Sequence, residues 1–122
     1  MIKLVYCIVR RADLSAEEFH RTWLVNHAPV VKSVAEALHA VRYVQSHAVH
    51  ADLNALLQSS RGGMQPAYDG ITEIWWNSRA DLENALSSEA GRAASARLEE
   101  DEARFIDFAR SRIFITEEHE IF

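Results

Sequence analysis

The stretch Ile2-Lys3-Leu4-Val5-Tyr6-Cys7-Ile8-Val9-Arg10 opens the chain and decides its architecture. It is rich in β-branched and aromatic residues, and both of its alternating sets are mostly apolar: Ile2, Leu4, Tyr6 and Ile8 on one side, Val5, Cys7 and Val9 on the other. Such a strand needs cover on both faces, so a layer must pack on each side of its sheet.

The first cover lies directly downstream. Ser15 followed by Glu18 forms a capping-box pattern, and Ala16, Phe19 and Trp23 recur at helical spacing, which predicts a helix from Ser15 to about Val25. Pro29 stands where a helical turn can restart, and Val30, Val34 and Leu38 continue the stripe until His39 and Ala40 break it. Two helical pieces joined at Asn26 to Ala28 are expected. Val41 to Val49 alternates as a second strand, with Val41, Tyr43, Gln45, His47 and Val49 on one face. Asp52 to Gln58 is a short helix candidate. Ser59 to Gly70, holding Gly62, Gly63, Pro66 and Gly70, is the one long irregular stretch and a candidate lid.

Ile71 to Trp76 reads as a third strand, with Ile71, Glu73 and Trp75 facing one way and Thr72, Ile74 and Trp76 the other. Ser78 and Ser88 each open a further helix, the second running through Ala93, Ala94 and Leu98 into the acidic stretch Glu99 to Glu102. Phe105, Ile106 and Phe108 then form an apolar docking segment, and Arg112 to Thr116 is the fourth strand. The order βαββαβ predicts an α+β, ferredoxin-like fold: a four-stranded antiparallel sheet with helices on one face. The other face would leave Val5, Val9 and large residues of the third and fourth strands in water. At roughly 25 cal/mol per Å² that forfeits several kcal/mol, comparable to the stability of a small domain. A homodimer, sheet face against sheet face, is therefore expected.

The whole-chain arithmetic narrows the function. The 122 residues, 48% hydrophobic and 25% charged, read as one continuous domain spanning 1–122. No apolar run approaches the roughly 18 to 20 residues of a membrane span, and no basic n-region precedes Leu4 to Val9, so neither a membrane protein nor a secreted one is expected. A net charge of −5 with no basic cluster gives no footprint for nucleic acid. The lone Cys7 cannot form an internal disulfide, which fits a cytoplasmic location. What remains is a small-molecule or protein partner.

The spacing Phe19, Trp23, His27, Ala28, Pro29 resembles the F-x-x-x-W-x-x-x-H-A-P signature of the EthD-domain family. The resemblance is reinforced by Met1 to Tyr6, Tyr43-Val44-Gln45, Glu73-Ile74-Trp75-Trp76 and Ile115-Thr116-Glu117-Glu118, anchors that sample nearly the whole chain. It implies a dimeric α+β barrel, in agreement with the topology above. The family is named for an ether-degradation system, and most members have no assigned reaction. Fold relatives include a methylmuconolactone isomerase, polyketide cyclases and dehydratases, and haem-degrading monooxygenases. In the isomerase a histidine after the first helix and a tyrosine on the second strand are the proposed site, and the matching positions here are His27 and Tyr43. The Gly62 to Pro66 loop and the Leu98 to Ser111 segment are longer than in small members. The tail with Asp101, Glu102, Phe105 and Asp107 is similar to that of larger dehydratase-like members.

Side-chain chemistry points to the same pair. From Ala16 the stripe Phe19, Trp23 steps on to His27, which aims the imidazole at the sheet, where a small environmental shift makes it an acid or base at neutral pH. The structural alternative is a histidine bonding a free carbonyl at a helix end. Tyr43 could donate to a carbonyl oxygen that gains charge on enolisation, or simply pack under the helices. Glu73 is either a partly buried carboxylate poised for proton transfer or a salt-bridged structural residue. Tyr6, Trp23, Trp75 and His47 complete the expected binding wall for a small hydrophobic or aromatic ligand. His47 and His50 point to opposite faces, so no metal is expected. His20 and His119 read as solvated, Cys7 as an inert hydrophobe, and Glu99 to Glu102 as a solvated helix face.

No G-x-S-x-G, P-loop or G-x-G-x-x-G motif is present. The expectation is thus a cofactor-independent enzyme, an isomerase, dehydratase or cyclase that moves a proton beside a carbonyl. The alternatives are an accessory protein that binds without reacting, and a haem- or oxygen-dependent monooxygenase.

Overall fold

A computed structural model describes residues 1–122. Four strands, β1 (Ile2–Ile8), β2 (Arg42–His47), β3 (Gly70–Trp76) and β4 (Arg112–Thr116), form one antiparallel sheet in the order β2-β3-β1-β4. This is the ferredoxin-like arrangement. β1 lies at the centre because both its faces carry apolar side chains. Beyond it, Arg10 keeps only an isolated bridge to Ile106.

The helices α1 (Ala16–Arg21), α2 (Ala28–Val34), α3 (Ala51–Ser59), α4 (Arg79–Ser87) and α5 (Glu89–Glu102) start where capping chemistry puts three of them. The hydroxyls of Ser15, Ser78 and Ser88 accept from the backbone N–H of Glu18, Asp81 and Gly91, satisfying donors that the first helical turn leaves free. The expected break at Asn26 to Ala28 does not occur. Instead α1 runs into α2 through a π-helical segment, Thr22–His27, in which the Ala28 N–H bonds the Trp23 carbonyl five residues back. The wider turn lets Pro29, which lacks a donor, follow without ending the helix.

Ile8, Phe19, Trp23, Phe105 and Ile106 form the core between sheet and helices, with Tyr6 and Leu14 packed against it. Phe105 is fully buried because the chain after α5 turns back, its carbonyl accepting from the Arg11 N–H at 3.0 Å. The other face of the sheet has no helical cover. There Lys3 bonds Glu73 at 2.7 Å, and the Trp75 indole donates to Glu118 at 2.7 Å beneath the Arg42 guanidinium. At the sheet edge Ile113, Phe114 and Ile115 are each about half exposed, at 57%, 49% and 50%. No helix is long and apolar enough to cross a membrane.

Candidate active site

His27 closes the π-helical segment and is 4% exposed, with its ring turned toward the sheet. A π-wound turn takes more residues than the about 3.6 of an α-helix, so the four-residue steps from Phe19 through Trp23 to His27 stay on one face. The imidazole does not bond a helix-end carbonyl. Its Nδ1 lies 2.7 Å from Oδ2 of Asp101, itself 5% exposed at the end of α5. The Arg104 guanidinium donates to the other oxygen, Oδ1, at 3.0 Å. A carboxylate held in this way accepts from Nδ1, so the imidazole lone pair sits on Nε2, which has no protein partner and keeps accessible surface. Burial lowers the His27 pKa below its ordinary value of 6.5 against the opposing pull of Asp101, leaving a neutral base.

Tyr6, Trp23, Tyr43, Leu98 and Glu102 line, together with His27, a narrow chamber of about 20 Å³, enough for one water molecule. Glu102 lies against the Tyr6 phenol, and burial pushes its carboxyl up to about 7. The Tyr43 hydroxyl accepts from Gln45 Nε2 at 3.1 Å and keeps its own proton for donation. Gln45 also donates to the Trp23 carbonyl at 3.0 Å and accepts from His47 across 2.8 Å, so a hydrogen-bonded ladder runs along β2. Tyr43 lines an outer groove of about 420 Å³ as well, shared with Leu24, Ala28, Lys32, Gln45 and His47. The phenol is the partition between groove and chamber.

Of the expected site residues, His27, Tyr43, Trp23 and Tyr6 converge on the chamber, and His47 stacks on Trp23 at 4.4 Å on its outer side. Glu73 and Trp75 do not join them. The two-residue alternation of β3 sends Thr72 and Ile74 to the chamber and puts Glu73 and Trp75 on the opposite face, where ion pairs and the C-terminal segment occupy them. The Ser59 to Gly70 loop does not cover His27 either. Its Gln65 to Asp69 part lines a separate cleft of about 630 Å³ with Val9, Arg10, Arg110 and Arg112.

Two further corrections concern polarity. Glu99 to Glu102 is not wholly a solvated face, because Asp101 is buried and Glu102 lines the chamber. The signal was present in the stripe Gly91, Ala94, Leu98, Asp101, Phe105, whose three- and four-residue steps carry an acid into an apolar series. His20 is half-buried rather than solvated, stacked on His47 at 4.8 Å with its Nδ1 unpartnered.

Comparison with known proteins agrees with this architecture. The EthD domain model matches residues 11–109. Among solved structures, an ethyl tert-butyl ether degradation (EthD) family protein from Bacillus halodurans shares 17% identity at a TM-score of 0.63, covering 98% of this chain and 99% of that one. HapK from Hahella chejuensis shares 15% at 0.60, with 98% and 93% covered. SnoaB from Streptomyces nogalater, a cofactor-independent oxygenase, shares 11% at 0.56, with 98% and 93% covered. At these identities the likeness is one of fold. No curated protein matches the chain.

Proposed function

This chain belongs to the EthD domain family, and from that premise we propose that it is a cofactor-independent acid/base enzyme acting beside the carbonyl of a small organic or aromatic compound. The observation that carries this is the buried His27–Asp101 pair, with Nε2 left unpartnered on a residue that lines the chamber. Nε2 takes the proton α to the carbonyl. Asp101 holds the tautomer and stabilises the imidazolium that forms. The Tyr43 phenol donates to the oxygen as it gains charge, and Trp23 walls the bound ring.

The narrow chamber holds no such substrate as it stands, and on this reading Tyr43, which lines both chamber and outer groove, swings to join them. Closure behind the substrate then excludes water. The chamber as it stands does not fit a porphyrin, and no step is assigned to haem. Its small volume favours a second role, an accessory protein that holds a ligand in the outer groove without reacting.

On this reading residues 1–122 act as one domain in the cytoplasm and pair with a second copy through the uncovered sheet face, a pairing supported by the half-exposed Phe114 there. The test of the catalytic role is deuterium exchange at the α-carbon of an aryl methyl ketone in heavy water. Replacing His27 with Ala should slow exchange at least about a hundredfold, with the acid limb of the wild-type profile below pH 6.5. Equal exchange by the two proteins would refute the role, and no exchange by either supports the accessory one.

A further inference from the structure

We propose that the cleft between the Gln65 to Asp69 segment and the start of β4 is a second binding site, for a small organic dicarboxylate. At about 630 Å³ it falls within the roughly 300 to 1,000 Å³ of small-molecule pockets, and it shares no lining residue with the chamber at His27. Its charge comes from the fold, since no basic run exists in the sequence. Arg10, Arg110 and Arg112 meet there, and Asp69 is the one acid among the lining residues. That acid is committed to Arg10: Oδ2 accepts from the Arg10 backbone N–H at 2.8 Å, and Oδ1 lies 3.4 Å from the guanidinium Nε. The same guanidinium donates to the Leu14 carbonyl. Arg110 and Arg112 are exposed, and their side chains make no hydrogen bond or ion pair within the protein. Two uncompensated cations thus border one hollow in a chain of net charge −5, which favours an anion at that place.

The backbone beneath both arginines is already ordered. The hydroxyl of Ser111, which stands between them, accepts from the Val9 N–H at 2.9 Å and donates to the Asp107 carbonyl at 2.7 Å, while the Asp107 N–H bonds the Val9 carbonyl at 2.8 Å. On the other wall the Asp69 N–H bonds the Ile8 carbonyl at 2.8 Å. Each wall is stapled to the end of β1, so a ligand need not order a loop as it binds. A guanidinium fork matches the two oxygens of a carboxylate, and two free forks suit two such groups. Val9, Pro66, Ala67 and the half-buried ring of Tyr68 give apolar surface for the carbon body that joins them, a surface that inorganic phosphate would leave uncovered. Binding here does not depend on any reaction at His27.

The probe is phthalate, titrated calorimetrically into the whole protein at low ionic strength, with benzoate and inorganic phosphate as single-headed comparisons. Phthalate should bind at least about tenfold more tightly than either. Arg110→Gln and Arg112→Gln should each weaken phthalate by about tenfold, with circular dichroism unchanged because both side chains are exposed. Arg112→Lys keeps the charge without the fork and should recover only part of the affinity. Arg97→Gln removes the same charge from an exposed position of α5 outside the cleft, and should change phthalate affinity by less than about twofold. An equal loss in Arg97→Gln and the two cleft variants reduces the effect to net charge and overturns the site. Equal affinity for the three anions overturns the dicarboxylate, and no binding of phthalate at millimolar concentration overturns the proposal as a whole.

Discussion

His27 Nδ1 and Asp101 Oδ2, 74 residues apart in sequence, meet at 2.7 Å with both side chains shut away from solvent. The contact ties the end of the π-helical segment to the end of α5 and fixes which imidazole nitrogen carries the proton. Two opposing influences set its acidity, burial lowering and Asp101 raising the pKa, with burial the larger. In Asp101→Asn only the lowering influence remains. The His27 pKa should fall further below 6.5, and stability should drop by about 2 kcal/mol as a charge-assisted hydrogen bond is lost. An imidazole titration by nuclear magnetic resonance checks the first outcome, and urea denaturation the second.

Glu102 makes the protein less stable toward alkaline pH. Its folded pKa of about 7 lies above the ordinary 4.5, so between those values the unfolded chain releases a proton that the folded chain retains. Stability from this group is complete below pH 4.5 and falls as pH rises to 7. Glu102→Gln should therefore raise stability at pH 8 by up to about 3 kcal/mol and leave it nearly unchanged at pH 4. His27 acts in the opposite direction, its contribution being present above pH 6.5 and lost as pH falls toward its lowered folded pKa. Chemical denaturation at the two pH values separates the groups.

Gly70 gives Trp23 its place. A Cβ there would sit 2.3 Å from Cζ3 of the indole and 2.9 Å from the Ser46 carbonyl oxygen, so the ring lies on bare backbone. Gly70→Ala must push Trp23 out of a closely packed core, at a cost of about 2 to 3 kcal/mol. Because Trp23 walls the chamber, its fluorescence spectrum should shift toward that of an exposed indole. Unchanged stability and emission would show that the contact relaxes freely.

Phe114, on the uncovered face and half exposed, stands opposite Val5 in the β1–β4 pairing. If a second copy covers this face, Phe114→Glu places a charge where the pairing would bury an aromatic ring. Sedimentation velocity should then show the wild type as a dimer and the variant as a monomer at the same concentration. A wild-type monomer at micromolar concentration would exclude the pairing.

Much of the fold was legible because its signals are local. Two-residue alternation located the strands, β4 at the same bounds as in the structure, and serine caps placed three helix starts. The inward aim of His27 followed from the stripe it shares with Phe19 and Trp23. The acids were less legible: an acidic run at a helix end ordinarily meets water, and only the partner on another helix makes Asp101 worth burying. The misplacement of Trp75 has a different origin. Alternation says which residues share a face, and β3 was divided correctly, but not which face the helices cover.

The π-wound turn between Thr22 and His27 holds one residue more than ordinary winding would need. Rewinding the same residues as a regular α-helix would rotate everything beyond by about 100°, carrying the imidazole away from α5. The contact between His27 and Asp101 thus depends on the wider winding. Grafting histidine and aspartate onto two regular helices would copy the letters while losing the azimuth that brings them face to face.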